Sequence, residues 1–385
     1  RRLVRGPLPM LRVGAIAEVE IRVREHRPFA ESGFRHTLSL GWNVPVHRSR
    51  VQLEVPATLP LKHRLFGLPD TVLTREKVKD LQRLRVDQGL SLPQRAREPF
   101  QAFDEEDRPS LLVTTAGSWA QVVAEYRTIL EPKLADPGLR AWVQEAVGEA
   151  KTREQKIQRI LTRLQTQIRY VGLEFGESAI VPRPPQETLR RGYGDCKDQS
   201  TLLVALLREA GIEAHLALLR AGEGRDFTPE FPGLAAFNHA IVHLPGKTPL
   251  WIDPTVPQAR VGQIPSADAG RHALIIAPGT KGTTALPMFQ ARDNCEVQTR
   301  EVFLAEDGPG RVIETTESKG PAEVAQRVQF TGADPAKLKE NLREHIKATY
   351  RSETLGETGH PDPLALDQPF RLRVEAKKAG NAYTS

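Results

Sequence analysis

Gly192-Tyr193-Gly194-Asp195-Cys196-Lys197-Asp198-Gln199 is the stretch that decides how the rest of the chain is read. Its two glycines permit a sharp, left-handed turn into a helix, because no Cβ opposes it. Asp195 is placed to cap that helix, its carboxylate accepting free amide protons of the first turn. From Ser200 to Ala210 the spacing is helical, with Leu202, Leu203, Leu206, Leu207 and Ala210 on one face and Gly211 as the terminating residue. Cys196 therefore falls in the first turn, where unpaired N–H groups and the positive end of the helix dipole favour a thiolate. That is how a nucleophile is placed. A small buried core residue is the other reading of the same cysteine, and this stretch alone does not separate the two.

Working outward, a chain of 385 residues exceeds the size at which one core keeps growing, so two or three domains are expected. Hydrophobic content of 39% and charged content of 26% are those of an ordinary globular chain. No apolar run approaches the ~20 residues needed to span a bilayer as a helix. The net charge of +6 comes mostly from scattered arginines. Without a dense basic block interleaved with aromatics, nucleic acid is not an expected partner. Two cysteines, Cys196 and Cys295, make no disulfide framework, although one bridge between them is compatible with the sequence. The chain opens on Arg1-Arg2 and runs from a strand-like Phe370–Ala376 to Ser385, so both ends look cut. A removed signal peptide fits that pattern, and a periplasmic or otherwise extracytoplasmic location is expected.

In chain order, Val19, Ile21 and Val23 alternate with Glu18, Glu20, Arg22 and Arg24, the period of a half-buried strand. Similar runs at His36–Trp42 and Val51–Val55 suggest part of an antiparallel sandwich. The charged, proline-bearing segment 60–109 reads as an excursion, with a short helix near Thr74–Leu84. A strand at Leu111–Thr115 leads to three helices, starting near Ser118, Leu139 and Arg153. Capping boxes Ser118/Gln121 and Thr152/Gln155 mark two of those starts. After the cysteine helix come strands at Ile212–Leu219, Ala240–Leu244 and Leu250–Ile252. Beyond Asp293, strands at Val297–Leu304 and Arg311–Thr316 and helices at Ala322–Gln329 and Pro335–Tyr350 are expected. The expected division is 1–115, a partial β-sandwich-like domain; 116–290, the catalytic domain; and 291–385, a mixed α/β or sandwich-like segment that looks truncated.

A cysteine nucleophile needs a base, and the base needs an orienting group. His215, His239 and His243 are the nearest bases downstream. If the hairpin turn centres on Lys247, His243 faces Trp251 and Ile241 faces Asp253. His239 then lies diagonally from Asp253 on the same face, within reach of an imidazole–carboxylate hydrogen bond. A slip of one residue would put the two on opposite faces. In this register Cys196, His239 and Asp253 form a thiol–imidazole–carboxylate line. His243 falls against Trp251 near the turn, and His215 on a partly exposed face beside Glu213. A metal set of Cys196, His239 and His243 is disfavoured, because His-x-x-x-His suits a helix face and these lie in a strand.

Tyr193-Gly194-Asp195-Cys196-Lys197-Asp198, the Leu-rich helix ending Ala210-Gly211-Ile212-Glu213-Ala214, Asn238-His239-Ala240 and Asp253-Pro254-Thr255 together resemble the core of the transglutaminase-like superfamily. Bacterial members with an N-terminal β-sandwich are the nearest in pattern, over about Ser118–Pro257. The resemblance implies an α+β fold, with a core of helices packed on an antiparallel sheet and flanked by β-rich, sandwich-like domains. It implies Cys196 as nucleophile, His239 as base and Asp253 as orienting acid. Tyr170 and Tyr193 would line the site, Tyr170 also helping to bind the oxyanion. The Cys196 amide at the helix start is the better-motivated oxyanion donor. The implied activity is acyl transfer or hydrolysis at an amide of a peptide or protein, without an organic cofactor or a metal. The alternative is a non-catalytic scaffold that binds protein or helps assemble an envelope. Oligomeric state is left open.

Overall fold

The computed structural model describes residues 12–23, 29–93, 108–135, 137–172, 175–222, 224–366 and 368–384. Arg24, Glu223 and the 94–107 part of the charged excursion lie outside them. Two compact units are distinguished, 1–31 and 32–385. In the first, residues 12–23 hold a turn and irregular backbone but no strand, and Val19, Ile21 and Val23 are exposed. The alternation there defines a face, but a strand exists only when a neighbour takes up its hydrogen bonds, and none among the described residues does.

In the second unit, two three-stranded antiparallel sheets come first. One orders Arg35–Ser39, Ser110–Thr114 and Lys62–Phe66; the other orders Ser49–Pro56, Leu81–Gln88 and Leu73–Val78. Leu111 and Val113 of the first sheet share an apolar core with Val55, Leu84 and Val86 of the second, so the sheets face each other as a sandwich. The helix expected near Thr74–Leu84 is instead a two-stranded hairpin, turning at Lys79 with φ 57°. Its period of two is masked by charge. Leu84 and Val86 are fully buried, while Arg83 stands outward between its cross-strand partners Glu54 and Glu76 and bonds both.

Ser110–Thr114 leads to Ser118, whose hydroxyl accepts the Gln121 N–H at 3.3 Å and opens the helix Trp119–Leu134. Helices Arg140–Val147 and Arg153–Gln167 follow, the latter opened by a complete Thr152/Gln155 capping box. Pro185–Arg191 ends at Gly192, which is left-handed at φ 66°. The cysteine helix then runs Cys196–Glu209 with Asp195 as its cap, the Asp198 N–H donating to Oδ1 at 3.2 Å. Gly194 does not take a left-handed backbone. It is needed for closeness: a Cβ there would lie 2.7 Å from Asp198 Cβ.

These helices cover one face of a five-stranded antiparallel sheet ordered Leu250–Ile252, His239–Leu244, His215–Leu219, His272–Ile275 and Thr284–Ala285. Leu216, Ala240 and Val242 meet Leu203, Leu206 and Ile160 on the helical side, and Ala217, Ile241 and Trp251 meet Ile264 and Leu286 on the other. Farther on, a four-stranded antiparallel sheet orders Glu296–Phe303, Gly308–Ser318, Arg371–Thr384 and Thr354–Gly359. Ile346 and Tyr350 of the helix Pro335–Tyr350 pack on it. The helix Pro321–Phe330 is tied back to the preceding core through Glu323, which accepts from Arg260 at 2.7 Å and from the fully buried Arg327. The fold is α+β, as expected, with helices on an antiparallel sheet and β-rich elements to either side. Among the described residues no helix is long and apolar enough to cross a membrane.

Gly194→Ala should lower stability by about 1–3 kcal/mol, the range for forcing an extra carbon into a packed site. Urea denaturation of the two proteins measures the difference.

Candidate active site

Three elements converge on one cleft. The cysteine helix carries Cys196 in its first turn, the strand His239–Leu244 opens on the histidine, and Asp253 directly follows Leu250–Ile252. The last two strands pair His243 with Trp251 and Val242 with Ile252, the register that a turn centred on Lys247 demands. Asp253, one step beyond, lies diagonally from His239 and brings Oδ2 to 2.9 Å from Nε2. Cys196 lines the same cavity as His239, and its thiol is among the groups that raise the imidazole. With Nε2 committed to Asp253, Nδ1 is the ring nitrogen left for the sulfur.

Burial alone would keep the His239 imidazole neutral. The hydrogen bonds and charges of Asp253 and then Cys196 outweigh it, and the ring is raised well above its ordinary range. Burial likewise pushes the Asp253 carboxyl up, but His239 and Thr255 reverse the direction and hold it below the usual range. Thr255 donates both its backbone N–H, at 2.9 Å, and its hydroxyl, at 2.7 Å, to Asp253 Oδ1. The imidazole therefore has a fixed partner behind it and the sulfur before it.

Cys196 and His239 open on a cavity of about 270 Å³ whose walls include Tyr126, Ile180, Leu218 and Phe237. The Tyr126 hydroxyl donates to the Ile180 carbonyl at 2.8 Å, and burial pushes this phenol up. Asn238, also at the cavity, holds the backbone of Ala221 in both directions, accepting its N–H at 2.8 Å and donating to its carbonyl at 3.0 Å. That clasp fixes the residue just before His239. Lys197, next to the thiol in sequence, is buried in an ion pair with Asp195.

Tyr170 and Tyr193 lie elsewhere. They sit on a two-residue parallel ribbon, Arg169–Tyr170 beside Tyr193–Gly194, and are not among the residues lining the cavity. Tyr170 is exposed, while Arg191 stacks over the Tyr193 ring at 4.2 Å and bonds its hydroxyl at 2.5 Å. The cavity takes Tyr126 instead, a residue that helical spacing marks only as core. His243 rests on Trp251 with ring centroids 4.6 Å apart, and His215 bonds Glu213 at 3.0 Å. Both cysteines are free, so the bridge is not formed. Asp268, which no motif or periodicity marks, is buried close to the pair: one ligand atom each from His239, Asp253 and Asp268 lies within 4.8 Å of the others. Such a trio has the donors of a cation site, but Nε2 of His239 is already bonded to Asp253.

Residues 140–251 match the family model described as the transglutaminase-like superfamily. The core is transglutaminase-like. Its family match contains Cys196 and His239 but stops two residues short of Asp253. Residues 1–90 match a domain of unknown function with a solved structure, DUF3857. No curated protein matches the chain. Among solved structures, a protein from Parabacteroides distasonis ATCC 8503 described as a candidate protease superposes with a TM-score of 0.54 at 15% identity, over 76% of this chain and 67% of that one. A candidate cysteine protease from Cytophaga hutchinsonii gives a TM-score of 0.27 at 15% identity, over 68% of this chain and 92% of that one. At such identity the first likeness speaks for the fold of the transglutaminase-like core and its surroundings, not for a reaction.

The directions of the two shifts define a pH window. Stability from the raised His239 is full below about 6.5 and is lost as pH rises through its folded value; that from the lowered Asp253 is full above about 3.9 and is lost as pH falls through its folded value. The stability difference between wild type and Asp253→Asn should therefore peak between those limits and shrink on either side, as urea denaturation across pH would record.

Proposed function

We propose that this chain is a cysteine-dependent acyltransferase or hydrolase acting on an amide of a peptide or protein. The observation that carries the reading is the alignment of Cys196, His239 and Asp253 beside an open cavity, with His239 Nε2 held 2.9 Å from Asp253. The transglutaminase-like match and the protease description of a structural relative are consistent with it.

In this mechanism His239 takes the Cys196 proton, and the thiolate attacks the amide carbonyl carbon. The oxygen's developing charge is met by N–H groups of the helix start, where the first-turn amides, Cys196 among them, have no intrahelical acceptor. The C–N bond then breaks. His239 gives its proton to the departing amine, and the acyl group remains on sulfur as a thioester. Water or a second amine, deprotonated by His239, attacks that thioester and restores the thiol. Asp253 holds the ring tautomer throughout and steadies the imidazolium. The same line serves both acceptors, so transferase and hydrolase share every step up to the thioester.

Cys196→Ala should abolish amide turnover while leaving the fold intact, and Asp253→Asn should cut it by about 10³–10⁴-fold. Mass spectrometry of a peptide mixture, incubated with and without a primary amine, reads both variants and also separates hydrolysis from transfer. Unchanged turnover in Cys196→Ala ends the enzyme reading. A Cys196 that iodoacetamide alkylates no faster than Cys295 at mildly acid pH points instead to a binding scaffold.

A further inference from the structure

A third acid stands behind the imidazole–carboxylate pair. Asp268 is 1% exposed and ends a turn in which its N–H bonds the Pro265 carbonyl at 3.0 Å. A carboxylate oxygen of it lies within 4.8 Å of both the Asp253 carboxylate and the His239 ring nitrogen. Its Oδ2 is buried and finds no donor among the described residues. Two ionised carboxylates this close, shielded from water, repel, and a buried acceptor without a donor is costly as well. One proton removes both costs, since a carboxylic acid donates where a carboxylate only accepts.

We propose that Asp268 carries a proton and donates it in a hydrogen bond to Asp253, which makes it a positioning residue behind Cys196, His239 and Asp253. The proposal deepens the reading of those three residues as the catalytic line and rests on it. Asp253 then accepts from four sides: the Thr255 amide, the Thr255 hydroxyl, His239 and Asp268. That is the full acceptor capacity of a carboxylate, and it leaves the group no freedom to rotate. Because Nε2 of His239 already sits 2.9 Å from Asp253, the trio suits a shared proton rather than a metal ion.

The ionisable groups acting on Asp268 come from three segments. Asp253, after one strand, pushes its carboxyl up; His239, at the start of another, pulls it down, as does Arg271 of its own turn. Arg271 spends its guanidinium on the Gly222 and Gly224 carbonyls. Burial is the largest influence, and the carboxyl is raised to about 7. The imidazolium of His239 attracts an ionised Asp268, and the attraction is reciprocal. As pH rises through about 7, loss of the Asp268 proton tightens the hold of His239 on its own. The imidazolium thereby survives to higher pH than Asp253 alone would allow.

The test uses the full chain and iodoacetamide, so no substrate is needed. The alkylation rate of Cys196 followed from acid to alkaline pH should step near neutrality in the wild type. Asp268→Asn, which keeps a neutral donor, should retain the acid-side rate but lose that step. Asp268→Ala, which has no donor and frees the Asp253 carboxylate to turn away from His239, should lower the acid-side rate roughly tenfold, the low end of what losing an orienting partner costs. The infrared carbonyl band of a buried protonated carboxylic acid should be present in the wild type and absent in Asp268→Asn. An Asp268→Asn profile that keeps the wild-type step, a wild type without the infrared band, or a rate altered by a metal chelator would each overturn the proposal. If wild-type Cys196 is no more reactive than Cys295, the catalytic reading fails; the infrared band still reports on the Asp268 proton by itself.

Discussion

An imidazole and a carboxylate held 2.9 Å apart, out of water, are the interaction on which the rest of this molecule depends. Taking either group into the interior alone would drive it neutral, and burial pushes both in that direction. Each is kept charged by the other, with Thr255 and Cys196 completing the set. Removing one partner from such a buried pair strands the other, at a cost of about 3–5 kcal/mol. The geometry must therefore be supplied by elements that do not drift. The sheet does this: a shift of one residue between its edge strand Leu250–Ile252 and the neighbouring His239–Leu244 would send His239 and Asp253 to opposite faces. The tilted ring contact of the His243–Trp251 pair, two steps along the ladder, helps pin that register.

The helix that brings the sulfur is unusual in burying its polar first turns as completely as its apolar ones. Asp195, Lys197, Asp198, Gln199 and Ser200 are all buried. Most of their polar atoms find a partner: Asp198 accepts the Arg183 N–H, Gln199 donates to the Gly194 carbonyl, and Ser200 donates to Ala240 on the histidine strand at 2.8 Å. These bonds are directional where leucine contacts are not. They set the rotation of the helix about its axis, and with it the aim of Cys196, while Leu203 and Leu206 supply the apolar adhesion. Stability and placement are thus carried by different residues of the same element.

Most of the core's elements could be read from local signals. Capping at Thr152 and Asp195, helical spacing in the leucine run and the turn at Lys247 each act over a few residues, and the structure follows them. The misreadings occurred where a local pattern depended on something distant. Arg83 hides the strand Leu81–Gln88 because its partners, Glu54 and Glu76, are supplied by other strands. Val19, Ile21 and Val23 carry a strand's alternation but, among the described residues, have no strand beside them. The strands His272–Ile275 and Thr284–Ala285 are too short to show a period at all.

What the sequence by itself determined is the chemistry available and the local frame that presents it. It contains a thiol at a capped helix start, a histidine at a strand start, and an aspartate whose distance from that histidine follows from one turn. These are consequences of neighbours in the chain, so spacing alone carries them. Only the tertiary structure decided that the sulfur shares a cavity with that histidine, that Tyr126 rather than Tyr170 or Tyr193 walls the cavity, and that Asp268 lies behind Asp253. Those outcomes depend on which buried surfaces meet across the fold and on how far water is excluded between them. Neither quantity leaves a period or a motif in the order of residues.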